Sequence, residues 1–260
     1  MTTLWLDIET FCATPITHGT HAYAEGAEVL LVAHAFDDEA AQVMDLTESV
    51  YTLGNVQMLV DSADEVVIHN SAFDRTVLRH QGVHIPVEKT VDTMTQALMH
   101  SLPGSLDQLC GILGVSQDKA KVKSGKKLIH LFTKPLGKNR KLVRATRETH
   151  PKEWADFVEY ARLDVEAMRE VRQRLPVWNM KPSEIALWQL DQRINERGVA
   201  IDLELAEAAL RAAQRAGRSL AARADGLTEG AVTNTTQRGK TLDHLRSMGL
   251  ETEDLKKGTV

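Results

Sequence analysis

The sequence predicts an α/β protein, a mixed sheet flanked by helices and followed by a small C-terminal helical unit. Three observations carry this prediction. Apolar or alternating runs at Leu4 to Ile8, Glu28 to Phe36 and Gln42 to Leu46 have the period of strands, and the turn at Asp37-Asp38-Glu39 joins the last two as part of an antiparallel meander. Beyond Val50 helical and strand patterns alternate, which is the mark of parallel pairing. Beyond Pro176 the stretch "PVWNMKPSE" interrupts that alternation, and the remaining residues show helical spacing alone.

Taken in order, Val50 to Val60 has helical spacing, Glu65 to His69 reads as a buried strand, Ala72 to Gln81 as a helix stopped by Gly82, and Lys89 to Asp92 as a further strand. Helices are expected at Thr93 to His100 and at Ser105 to Leu113, the second opened by a Ser cap and closed by Gly114. Pro151 starts a long helix reaching about Leu175, with Trp154, Phe157, Val158, Ala161, Val165 and Met168 on its apolar side. Past the linker, Ser183 is expected to cap a helix ending at Arg197, followed by helices from Leu203 to about Ala224 and from Thr236 to Met248. The domain boundary therefore falls near residue 178, giving units at 1–178 and 179–260.

At 260 residues and 43% hydrophobic composition the chain has material for a substantial core. Cys12 and Cys110 stand far apart, and no apolar N-terminal segment or 18-residue apolar run occurs, so a reducing cytoplasm is expected, without a disulfide framework or a membrane span. The formal net charge is -5, but it is unevenly spread. Lys119 to Arg147 holds eleven Lys or Arg and no Asp or Glu, which leaves twenty basic against 36 acidic groups elsewhere. A basic strip on an acidic body suits a phosphate backbone, although a solvated Lys-rich loop has the same composition.

The strand Leu4-Trp5-Leu6-Asp7-Ile8-Glu9 poses a chemical question, because alternation sends Asp7 and Glu9 to one face while Leu6 and Ile8 pack on the other. Two adjacent carboxylates need either water or a cation. Further along, "HNSAFDRTVL" puts Asp74 just inside a helix, with Asn70 near the cap and Phe73 beside it, and "YARLDVEAM" puts Tyr160 and Asp164 on one helix face. The histidines at 18, 21, 34, 69, 80 and 84 lack zinc-like spacing and are ordinary loop or core residues.

In this order, Asp-x-Glu on a first strand, Asn-x-x-Phe-Asp, and Tyr-x-x-x-Asp on a late helix resemble the three exonuclease motifs of the DEDD superfamily of 3'-5' exonucleases, in its tyrosine subclass. The stretches "GTHAYAEGAEVLLVAHAFDD", "VDTM" and "HPKEWADFVEYARLDVEAMREV" resemble the proofreading domain of phage-type family A DNA polymerases. "LWQLDQRINERGVAID" and "TNTTQRGKTLDHLRSMG" resemble the start of their polymerase region.

The resemblance implies a ribonuclease-H-like sheet, DNA 3' ends as substrate, two Mg2+ or Mn2+ ions, and the cytoplasm of a bacterium or a phage-infected host. It implies Asp7, Glu9, Asp74 and Asp164 as metal ligands, with Tyr160 orienting the attacking water. Hard divalent ions take oxygen ligands, and two of them suit both ends of a phosphodiester displacement. Thr10, Phe11, Asn70, Phe73, Lys123, Lys126 and Lys127 are the expected nucleic-acid contacts, and a single strand or frayed primer end the expected partner. Ser183 to Val260 offers no further acidic pair in an apolar strand, and the final "EDLKKGTV" looks cut within an element, so the chain is expected to degrade DNA without extending it, with a separate polymerase chain as a further expected partner. A ribonuclease of the same superfamily and a non-catalytic binding module are the alternatives.

Overall fold

Two apolar faces on one strand decide the layering. Along β1 (Thr3–Phe11) Leu4, Leu6 and Ile8 join one core and Trp5 the other. A strand buried on both sides needs helices on both, and it has them. The computed structural model describes residues 1–115, 119–137 and 143–256, without the side chains at 119–124.

On one flank of β1 lies β2 (Glu28–Phe36), antiparallel, and beyond it β3 (Gln42–Asp45), also antiparallel. On the other flank β4 (Glu65–Ile68) and then β5 (Thr90–Asp92) run parallel. The order β3-β2-β1-β4-β5 is thus the mixed sheet expected from a meander followed by strand-helix alternation. The class is α/β, consistent with a ribonuclease-H-like exonuclease domain.

Helices α1 (Thr20–Ala24), α2 (Leu53–Ser62) and α3 (Ser71–His80) cover one face, where Tyr23, Val56, Val60, Val77 and Leu78 meet Leu4 and Leu6. Helices α4 (Thr93–Met99) and α5 (Leu106–Leu113) pack on the last turns of a longer helix through Ala97, Leu109 and Val171. The opposite face is covered by α6 (Lys119–Phe132) and that long helix, α7 (Pro151–Arg174), whose Trp154, Phe157, Ala161 and Val165 recur at three- and four-residue spacing against the sheet.

Two helices were not evident in the sequence. Helix α1 has five residues, too few for a period to emerge. Helix α6 occupies half of the basic strip, where lysines dilute the apolar signal, yet Leu128 and Phe132 lie one turn apart and are buried against α7. The cap expected at Ser183 is displaced by two residues, to Lys181, since the next helix, α8 (Pro182–Arg197), begins at the proline, whose fixed φ suits a first helical position.

The first compact unit runs from Met1 to Arg197, beyond the linker at 178, because α8 is tied to it. The Glu196 carboxylate lies 2.5 Å from the buried Arg75 guanidinium and 3.2 Å from that of Arg79, and Arg193 pairs with Glu88 at 2.7 Å. The second unit, Gly198–Val260, contains α9 (Leu203–Leu227) and α10 (Arg238–Ser247), with Asp202 capping α9 by accepting from Leu205 N–H at 2.9 Å.

Candidate active site

The acids of β1 emerge on the face that carries α7. Asp7 and Glu9 follow Trp5 at two-residue intervals, and α7 presents Asp164 one turn after Tyr160. Carboxylate oxygens of Asp7, Glu9 and Asp164 all lie within 4.8 Å of one another. Burial, reinforced by the Asp164 charge, pushes the Asp7 carboxyl up to about 8. Burial first, then the charges of Asp7, Asp164 and Asp74, holds Glu9 well above the usual carboxylate range. Asp164 rises less, to about 6, since burial and the Asp107 charge are opposed by a hydrogen bond from the Tyr160 hydroxyl. Burial and the Asp164 charge keep that hydroxyl firmly protonated.

Crowded oxygens that resist ionisation together are the donor set a hard divalent cation prefers, so the residues fit such a group. The raised pKa values give a linkage with a definite sign. These groups favour the metal-free fold fully below their ordinary value of 3.8, and that contribution is lost as pH climbs through about 6 for Asp164 and about 8 for Asp7. Chelator-treated protein should therefore lose melting temperature from pH 5 to pH 8, and the gain on adding Mg2+ should grow over the same interval. A gain independent of pH, read by calorimetry, would contradict that linkage.

Asp74 lies beside this group but not within it. Strand β1 pairs with β4 only from Thr3 to Trp5, so its edge farther on is open, and there Ile8 N–H donates to Asp74 Oδ1 at 3.2 Å. Asp74 is 3% exposed, and burial, then the Asp7 charge, raises its pKa. Asn70, the residue before α3, is exposed and holds a left-handed φ of 67°, a conformation asparagine tolerates better than most side chains.

A cavity of about 590 Å3 opens beside Glu9, lined among others by Thr10, Tyr23, Phe73, Ile129 and His130. Thr10 Oγ1 and the Tyr23 hydroxyl share a 2.7 Å hydrogen bond, and the Tyr23 and Phe73 rings pack at 5.6 Å. Phe11 lies away from this cavity under the Arg144 guanidinium, 3.9 Å from its ring centre. Lys126 and Lys127 are exposed on α6, with Lys126 Nζ 3.6 Å from Asp107. The Lys123 side chain lies outside the described residues.

Two acids at the site were not singled out from sequence. Asp107 lies in the first turn of α5 and adds its charge to Asp164. Asp92 ends β5, and its carboxylate accepts from Ser71 N–H and Ser71 Oγ, both at 2.7 Å, from Asn70 N–H at 3.3 Å and from Thr95 N–H at 3.0 Å. The visible sign of Asp92 was an acid ending an apolar strand directly before a helix, an N-cap signature.

Such a fold and acid cluster define a nuclease class. A family model described as 3'-5' exonuclease matches residues 17–177, and the chain belongs to that family, the exonuclease domain of family A DNA polymerases. Over 237 residues the chain is 35% identical to a DNA polymerase of Bacillus phage SP02, covering 88% of this chain and 36% of that protein. It therefore spans about a third of the length of that relative. The family match starts after β1, so Asp7 and Glu9 enter the site by geometry. Among the described residues no helix is long and apolar enough to cross a membrane.

Proposed function

We propose that the chain removes nucleotides hydrolytically from DNA 3' ends, as the proofreading domain (1–178) of a family A DNA polymerase whose polymerase region begins in 179–260. The convergence of Asp7 and Glu9 on Asp164, in a chain whose residues 17–177 match a 3'-5' exonuclease family, supports this reading most strongly. These three residues, with Asp74 as a fourth ligand steadied by Ile8 N–H, would hold two divalent ions, Mg2+ or Mn2+. When bound, such ions supply acidity for the attacking water and shield charge on the phosphoryl and leaving oxygens.

The chain's own residues do the rest. Because the Tyr160 hydroxyl donates to Asp164, its oxygen lone pairs remain available to accept a hydrogen bond from water and so orient it toward phosphorus. One water oxygen bonds to phosphorus as that water loses a proton to solvent, the bond from phosphorus to the 3' oxygen breaks, the 3' oxygen takes up a proton from solvent, and a nucleoside 5'-monophosphate leaves. The cavity beside Glu9, lined by Thr10 and Phe73 among others, would offer an apolar seat for the terminal nucleoside. Phe11 and Asn70 would flank the strand as it arrives.

The exposure of Lys126 and Lys127 on α6 supports a contact between this helix and the phosphate backbone. Neutralising Lys123, Lys126 and Lys127 together should weaken single-strand binding and reduce the slope of log K against log salt by up to about 0.7 per lost contact. An unchanged slope would mean that the strip is merely solvated. The substrate assignment is tested by hydrolysis of a DNA single strand and the RNA of the same sequence, each in Mg2+ and in chelator. Metal-dependent hydrolysis of DNA at the higher rate is expected; preference for RNA would move the chain to the ribonucleases, and binding without hydrolysis to the non-catalytic modules.

A further inference from the structure

We infer that Gly125, on the basic helix α6, seats the ring of Tyr160 and thereby fixes the position of the tyrosine hydroxyl. The inference rests on the exonuclease reading of Tyr160. Gly125 is buried, and a Cβ placed on it would stand 2.4 Å from Tyr160 Cε2, 2.6 Å from Cδ2 and 3.3 Å from Cζ, the carbon that carries the hydroxyl. Carbon atoms not bonded to one another prefer about 3.5 to 4.0 Å, so the aromatic edge lies in space that any other residue would fill. Among the described glycines no other meets a ring this way. A Cβ on Gly104 would meet the flexible Met94 side chain at 3.1 Å and Leu98 at 3.7 Å, and Gly111, inside α5, has nothing within 4 Å.

Which partner would yield is decided by the packing around each. Helix α6 is anchored by Leu128 and Phe132, three and seven residues beyond Gly125 and therefore on the same face. Phe132 is fully buried, stacked on Phe157 with ring centres 5.1 Å apart and edge-on to Trp154 at 4.9 Å. Tyr160 is only half-buried and borders the acid cluster. A methyl group at position 125 therefore moves the tyrosine rather than the helix, and it draws the hydroxyl away from Asp164. Glycine inside a helix is otherwise unfavourable relative to alanine, so its place here goes against local propensity. Gly125 is thus a positioning residue. It also joins the basic helix mechanically to the tyrosine that orients the water.

The test combines Gly125→Ala and Tyr160→Phe, singly and together, in the full chain, with Gly111→Ala as control. Initial rates on single-stranded DNA in Mg2+ and thermal melts are both recorded. Gly125→Ala should lower kcat about tenfold with KM nearly unchanged, the scale of losing one hydrogen bond that orients the attacking water. It should cause no further loss of kcat in the Tyr160→Phe background, where there is no hydroxyl to displace. Its fall in Tm should persist there, because the ring is still present, whereas Gly111→Ala should raise Tm as an open helix position does. Wild-type kcat in Gly125→Ala, or an equal loss of kcat in both backgrounds, overturns the inference. A wild-type chain without nuclease activity defeats the exonuclease reading instead, and the melts still decide the seating: a rise in Tm for Gly125→Ala matching that of Gly111→Ala overturns it.

Discussion

Asp7→Ala and Asp164→Ala are each expected to lower the rate of 3' hydrolysis on the order of a thousandfold, the scale seen when a group stabilising transition-state charge is removed. Each variant should nevertheless fold. Asp7 and Asp164 are half-buried among like charges, and desolvation with the repulsion of neighbouring carboxylates raises both pKa values, so deleting either side chain relieves an unfavourable interaction in the metal-free protein. At pH 8 without metal the Asp7→Ala chain should melt no lower than the parent, while its gain in melting temperature on adding Mg2+ should shrink. Activity retained by both variants at saturating Mg2+ would remove the metal-site assignment.

Asp92→Ala should produce the largest loss of stability. The side chain is 5% exposed, and its two oxygens receive the Asn70, Ser71 and Thr95 N–H groups together with the Ser71 hydroxyl. One carboxylate thus holds the starts of both α3 and α4, and α3 carries Asp74. Removing it leaves buried donors unpaired, at a cost of about 3 kcal/mol, since hydrogen bonds to charged groups contribute roughly 1.5 to 3 kcal/mol each and the losses overlap. Urea unfolding should show a lower midpoint with an unchanged m-value, and Asp92→Asn should recover part of the difference. A change below about 0.5 kcal/mol, the size of an ordinary surface substitution, would mean that water replaces the carboxylate.

What could be read in the sequence was whatever a short period encodes. Alternation along β1 put Asp7 and Glu9 on one face, and four-residue spacing put Tyr160 beside Asp164; both relations are local, and the fold keeps them. Relations across elements were less accessible. That Asp7, Glu9 and Asp164 meet depends on β1 and α7 packing together, which was inferred from the order of motifs and is found in the geometry. The orientation of Asp74 depends on where β4 stops pairing with β1, a register that no pattern of residues announces. Asp92 looked like the end of a strand, because its work is done on backbone groups 21 and 22 residues earlier as well as on its own helix. Helix α6 was hidden by its charge, and Gly125 by the general tendency of glycine to suggest a break.

The most direct measurement uses one DNA single strand labelled at its 5' end and the same strand labelled at its 3' end, each incubated with the chain and Mg2+. The expected result is loss of the 3' label as mononucleotide from the earliest time, while the 5'-labelled strand shortens from full length through successive single-nucleotide steps, with neither change in the Asp7→Ala chain. Internal fragments at early times, retention of the 3' label, or an unaffected pattern in Asp7→Ala would contradict a 3'-5' exonuclease built on these acids.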